Sequence, residues 1–295
     1  MFRLFLYFLA LFCLAQSANI VRLVQAPIEI LGFWRLLVSA LILLPLAIFK
    51  GNLMAGYRHN PRLFFYSLLS GFFFFLHLWT FFYSAHHTSI AHCMIIYSVN
   101  PLFTAVGAWL FFREAVSWRL LAAYVLAFLG IYQLMGSQFS LLSIQGGGSG
   151  DWSALASAVF FVGYLLFGKK IRQSVANTSY SVVIYLTASL FFGATALLQN
   201  YQFTDYPTTT WLAIGASILL PTLLGHALFT YLMKFMNINL MTCGKLIEPA
   251  ISSITAYFLF AESLNDNTVV AFFLMSTAII ILFYPVIRQS IVSRR

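Results

Sequence analysis

The chain has 295 residues, of which 61% are hydrophobic and 8% charged, with mean hydropathy +0.90 and a formal net charge of +9. A soluble domain carries about 25% charged residues, so this composition excludes a soluble enzyme, a disordered tail and a nucleic-acid-binding domain. The basic residues stand singly at the ends of apolar segments, the pattern that orients a multi-spanning membrane protein.

A helix that crosses the hydrocarbon needs about 20 mostly apolar residues. Such runs predict ten membrane helices: Leu4–Val21, Ile28–Phe49, Leu63–Tyr83, Ile90–Phe112, Leu120–Met135, Trp152–Phe167, Tyr180–Gln199, Trp211–Met233, Ile238–Phe260 and Val269–Ile287. The runs are unbroken and do not alternate, which implies helices rather than barrel strands. The first run is read as a retained span rather than a cleaved leader.

Orientation follows from Lys and Arg. With the N-terminus inside, the inner face collects Arg3, Lys50, Arg58, Arg62, Arg113, Arg119, Lys169, Lys170, Arg172, Lys234, Arg288, Arg294 and Arg295, while Arg22 stands alone outside. The expectation is a cell (inner) membrane protein with both termini cytoplasmic. The longest connection, Gly136–Gly150, ends in Gly146-Gly147-Gly148-Ser149-Gly150 and reads as a flexible outer linker. No Lys or strand–helix context makes it a phosphate loop. No connection is long enough to fold alone, so function must sit within the bundle.

Sliding the chain on itself by 148 residues pairs Tyr83 with Tyr231, Pro101 with Pro249, Ala108 with Ala256, Phe112 with Phe260 and Glu114 with Glu262. Pro and Glu are scarce here, so their pairing carries weight. Five helices per half is an odd number, which makes the halves enter the membrane from opposite sides. Inverted repeats are a transporter device that places a site near the midplane between halves. The predicted fold is therefore all-α integral membrane, with ten helices as two inverted five-helix repeats. Residues 1–135 form the first repeat, 136–150 the linker, 151–287 the second repeat and 288–295 a basic cytoplasmic tail. Pro101 and Pro249 are hinge candidates, because each frees a backbone carbonyl within its helix.

The steps Phe33-Trp34-Arg35, Tyr83-Ser84-Ala85 to Ser89-Ile90-Ala91, Asn100-Pro101 with Phe112-Arg113-Glu114, and Glu248-Pro249 with Phe260-Ala261-Glu262 resemble the EamA type of the drug/metabolite transporter superfamily. In that family small residues, Glu-Pro, an apolar run and a second Glu end each half. The second half fits this pattern, and the first departs with Asn100. The resemblance implies a ten-helix secondary transporter whose central cavity is lined mainly by helices 1, 3, 4, 6, 8 and 9.

Ionisable groups within the hydrocarbon cost several kcal/mol unless paired or wet. Lys245 and Glu248 lie three apart on one helix face. They read either as a substrate site, with Glu248 also a candidate for a coupled proton, or as a structural ion pair holding the Pro249 bend. Arg35 reads as an interface anchor that snorkels outward, or as a structural residue, ahead of a substrate ligand. His77 and His226 fall one position apart under the repeat. They are cavity candidates, although a lone membrane His more often bonds a carbonyl in a packed interface. Asn19, Tyr83, Tyr97, Asn100, Tyr164 and Tyr231 complete the cavity candidates. His86, His87 and His92 cluster at the outer mouth without a carboxylate or Cys at ligand spacing, so no metal site is expected.

The expected activity is secondary transport of a small metabolite, an amino acid or similar polar or amphipathic solute, by alternating access. It needs no cofactor, no ATP and no nucleic acid. One chain carries both halves, so monomer and homodimer are both open. The alternative from another class is an intramembrane enzyme using the His-rich outer mouth.

Overall fold

A computed structural model describes residues 2–49, 53–88, 90–114, 117–135, 148–261, 269–270, 273–278, 280–281 and 284. Among these residues every regular element is a helix. Six are long and apolar enough to cross a membrane: Phe2–Leu23, Ile28–Phe49, Arg62–His87, Ser149–Ile171, Asn177–Leu198 and Thr208–Leu232. The first is α1 (Phe2–Ala15) and α2 (Ser17–Leu23), separated by a turn at Gln16. Next come α3 (Ile28–Phe49), a short surface helix α4 (Ala55–His59) and α5 (Arg62–His87). After the fourth and fifth predicted spans come α9 (Ser149–Ile171) and α10 (Asn177–Leu198). The eighth begins as α11 (Thr208–Ser217), widens into a π-helical stretch over Ile218–Ala227 and closes as α12 (Leu228–Leu232).

The predicted fourth and ninth spans are not continuous helices. The fourth is α6 (Ile90–Tyr97) and α7 (Asn100–Phe112), and the fifth is α8 (Trp118–Met135). The ninth is α13 (Ile238–Gly244), a 3-10 turn at Lys245–Ile247, and α14 (Glu248–Phe260). Each break falls immediately before the matched Asn100-Pro101 or Glu248-Pro249 step. Pro101 and Pro249 thus occupy the first turn of a new helix, where the missing N–H leaves no bond unmade. Both second segments also end on a left-handed residue, Arg113 (φ 57°) and Ala261 (φ 54°), again 148 positions apart.

Other boundaries move by a few residues. The sixth span starts at Ser149 rather than Trp152, so the last two residues assigned to the linker are helical. Residues 136–147 of that linker, Glu262, His92's side chain, part of the tenth span and the 288–295 tail lie outside the described residues; residues 273–278 of the tenth span are helical.

Helix ends alternate between two ends of the bundle. At one, Arg22 at the close of α2 donates to the carbonyls of Ala85 and Thr88, at 3.3 and 2.9 Å. At the other, Lys169 donates to the carbonyls of Met233 and Met236, at 3.0 and 2.7 Å, and stands 3.9 Å from Glu114. Between these ends α5 lies along α9, and α10 lies along α3 and α5; α13 packs on α7 and α14 on α6.

In lipid the apolar tails offer helices no hydrophobic gain, so close backbone approach and interhelical hydrogen bonds hold a bundle together. Gly71 illustrates the first device: a Cβ there would fall 2.7 Å from Thr187 Cβ and 3.1 Å from the Ile184 carbonyl on α10. The second appears in Ser70 with Tyr180 (2.7 Å) and Ser189 donating to the Phe33 carbonyl (3.1 Å), and Trp34 ties α3 to the loop after α10 through the Phe203 carbonyl (2.8 Å). Phe2, Phe49, Phe111, Phe258 and Leu198 are among the many large apolar side chains left exposed. A monomeric soluble protein does not expose apolar surface on this scale.

Candidate functional site

The two helix breaks, the α1–α2 junction and the midsections of α5 and the eighth span line a small central cavity. Its wall includes Ser17, His77, Tyr97, His226, Lys245 and Glu248 as polar groups, with Leu14, Leu78, Phe81 and Met94 as apolar ones. The cavity measures about 20 Å³, room for a single water.

Lys245 Nζ donates to Glu248 Oε1 at 2.6 Å, and both side chains are almost fully buried. The 3-10 turn at Lys245–Ile247 sets this geometry, because it aligns residues three apart more closely than an α-helix does. Three rings surround the ammonium, with Phe161, Phe229 and Tyr97 centroids at 5.0, 5.5 and 5.7 Å. Ring faces attract a cation, and the effect grows when water is excluded.

Above the pair lie the two imidazoles, 6.1 Å apart between ring centres. His77 is held by Ser157, with Nδ1 2.8 Å from its hydroxyl and 3.2 Å from its carbonyl, and stacks on Tyr97 at 5.5 Å. His226 packs edge-on against Phe74, and its Nδ1 has no hydrogen-bond partner among the described residues. The Tyr164 hydroxyl, on a ring 6.2 Å from His226, is likewise unpartnered.

The remaining predicted cavity residues divide in two. Asn19 and Asn100 are buried ties outside the cavity wall. Asn19 Nδ2 donates to the carbonyl and hydroxyl of Ser252 at 3.1 Å, joining α2 to α14. Asn100 Nδ2 donates to the Tyr97 carbonyl at 2.8 Å, satisfying an acceptor released by the α6–α7 break.

Tyr83 and Tyr231 stand at the two ends of the bundle. Tyr83 stacks on His87 at 3.8 Å in a pocket of about 410 Å³ with Glu29, Trp79, His86 and Gln199. Tyr231 lines a pocket of about 360 Å³ with Arg172, Asn177, Lys234 and Phe235. Tyr83 follows His77 by six residues and Tyr231 follows His226 by five, so each stands about one and a half turns beyond the level of the imidazoles, outside the cavity. Tyr83 with His87 and Tyr231 with Phe235 also fall 148 apart.

Arg35 departs furthest from expectation. It does not snorkel: it is fully buried, with its guanidinium 5.3 Å from the Phe82 ring centre. The cause lies in the eighth span. Pro221 lacks the N–H that would bond the Ser217 carbonyl, and the helix widens there. The Thr222 hydroxyl donates to that carbonyl at 2.8 Å and accepts from Arg35 Nε at 2.7 Å. Arg35 Nη1 reaches the Ser17 hydroxyl at 3.4 Å, and Nη2 has no partner among the described residues. The sequence signal that points to this site is Pro221-Thr222, a helix breaker followed by a hydroxyl able to take the released carbonyl.

His86 and His87 are both exposed, and among the described residues no three His, Cys, Asp or Glu residues gather as metal ligands.

The model of the EamA-like transporter family matches residues 1–136 and again 148–284, nearly the whole chain. The transporter YxxF of Bacillus subtilis, named as uncharacterized, is 24% identical over 186 residues, covering 61% of this chain and 57% of that protein. An uncharacterized transporter of Archaeoglobus fulgidus is 27% identical over 179 residues, covering 60% of this chain and 61% of that protein. The chain thus spans less than two thirds of these relatives' lengths. A protein of known crystal structure superposes with a TM-score of 0.77 at 14% identity, over 97% of both chains, and shows the shared fold.

Proposed function

We propose, on the premise that this chain belongs to the EamA-like transporter family, that it moves a small polar or amphipathic metabolite across the cell membrane by alternating access. Membership makes it an integral membrane transporter, whose partners are a solute and a lipid bilayer. The finer reading is ten helices in two inverted halves, 1–135 and 151–287, with both termini cytoplasmic, the central cavity as the solute site, and Glu248 as the candidate for a coupled proton.

The observation that carries this reading is the pairing of end contacts. Arg22 bonds the carbonyls at 85 and 88, and Lys169 bonds those at 233 and 236, and each acceptor at one end lies 148 residues from its counterpart at the other. Two related latches at opposite ends, with helix breaks at related positions between them, are what an inverted repeat needs to open alternately. With both latches engaged the cavity holds about 20 Å³, which fits an occluded state. A solute enters when one latch releases.

The test is flux. Purified protein in liposomes is expected to take up at least one member of an amino-acid, nucleotide-derivative and polyamine panel, saturably and without ATP. Absence of flux across the whole panel rejects the reading. Glu248→Gln is expected to abolish the pH dependence of uptake. Unchanged pH-dependent uptake removes the coupled proton from Glu248.

A further inference from the structure

The described residues bury three cationic side chains, Arg35, Arg172 and Lys245, and two carboxylates, Glu29 and Glu248; of these, Arg35, Lys245 and Glu248 lie at or next to the central cavity. Lys245 and Glu248 neutralise one another at 2.6 Å. Arg35 has no carboxylate within ion-pair distance among the described residues, and its hydrogen bonds go to the neutral hydroxyls of Thr222 and Ser17. An isolated buried charge costs several kcal/mol and calls for a counter-charge or conserved use. The guanidinium stands one hydroxyl behind the cavity: Ser17, which Nη1 contacts, is on the wall itself. At 3.4 Å that contact is weak and readily exchanged for a stronger acceptor.

The unmet hydrogen-bonding capacity of this region points the same way. Arg35 Nη2 and the Tyr164 hydroxyl are donors without acceptors, and His226 Nδ1 is a third donor in one tautomer. Donors left over in this region suit a guest rich in acceptors. The opposite choice, a cationic guest on Glu248, meets an occupied seat. The chain's own Lys245 ammonium fills the ring-lined space beside that carboxylate. Leu14, Leu78, Phe81 and Met94 complete the wall and offer nothing to a second charge.

We propose that the cavity takes a small organic anion, a carboxylate on an apolar body, with Arg35 as the counter-charge that it meets when the bundle opens at Ser17. This rests on the reading of the cavity as the transport site, and narrows its solute class.

The experiment compares isosteres that differ in charge: benzoate, benzamide and benzylamine, and butyrate, butyramide and butylamine. The readout is the melting temperature of the full-length protein in detergent, because a ligand that binds the folded form raises it. A carboxylate from at least one series is expected to raise it saturably, with the matched amide and amine inert. Arg35→Gln is expected to weaken that carboxylate's Kd by about tenfold or more. Arg35→Lys retains the charge without the planar fork, and is expected to bind measurably whether or not the Gln variant folds.

Stabilisation by an amine, by neither carboxylate, or equally by a carboxylate in wild type and Arg35→Gln overturns the proposal. Liposome flux separates this from the transport reading. Flux of some solute with no carboxylate shift keeps the transporter and removes the anion class. A carboxylate shift without flux keeps the anion site and removes the transporter.

Discussion

The Lys245–Glu248 pair makes a quantitative prediction that also decides its role. At 2.6 Å and an effective dielectric of about 20, the attraction of the two charges is about 6 kcal/mol. Withdrawing each ion from water costs several kcal/mol, so the intact pair contributes little net stability. Removing one partner is different, since the attraction goes while the other charge stays buried. Lys245→Met and Glu248→Leu are each expected to destabilise the protein by about 3–5 kcal/mol, and the double variant to return to within about 1–2 kcal/mol of wild type. Equilibrium unfolding in mixed micelles measures all four corners of the cycle. Additive losses, or a Lys245→Met variant as stable as wild type, would refute the reasoning, because Glu248 would then not depend on its partner. The double variant also separates the two roles left open by the sequence. If the pair only holds the Pro249 bend, the stable double variant transports normally. If the pair serves the solute, it folds and does not transport.

Three further perturbations follow from the geometry. Gly71→Ala places a methyl 2.7 Å from Thr187 Cβ and 3.1 Å from a backbone carbonyl on α10, and is expected to cost about 1–3 kcal/mol in the same unfolding assay; a neutral result would mean that α5 and α10 separate freely. Gly244→Ala puts a methyl onto the Tyr7 hydroxyl, which donates to the Met241 carbonyl at 2.7 Å. It should lower the melting temperature, and Tyr7→Phe should restore part of the loss by removing the colliding oxygen. Lys169→Met releases the Met233 and Met236 carbonyls, and should speed thiol labelling of a cysteine at Asn177 while leaving one at Trp79 unchanged or slower. Equal labelling before and after would show that Lys169 does not latch its end.

Much of this arrangement is legible in the residues, and the missing part has one cause. Membrane helices declare themselves by length and apolarity, and depth along each follows at a fixed rise per residue. The matched prolines marked both helix breaks, since an imino acid followed 148 residues later by another is a backbone constraint that travels with the chain. Rotation about the helix axis is what the sequence withholds. Asn19, at a plausible depth, turns toward Ser252 and becomes a tie. Arg35, near one end, turns inward because Thr222, 187 residues away, presents a hydroxyl held on the carbonyl that Pro221 leaves free. A snorkelling anchor and a buried cation have the same sequence context, and the choice between them is made by a partner on another helix.

The two breaks also show why backbone relatedness and chemistry part company. Lys245 and Glu248 occupy the positions that, 148 residues earlier, are Tyr97 and Asn100. Both pairs span their break in the same way, one by an ion pair at 2.6 Å and the other by an amide on a carbonyl at 2.8 Å. The uncharged version spans its break without burying a charge, so the bend alone does not explain the charges. A motion that exchanges the conformations of the halves would leave these charges at the break between α13 and α14 throughout. The ion pair would then travel with the second half of the molecule, while Ser17, His77 and Tyr97 face it across the cavity from the first.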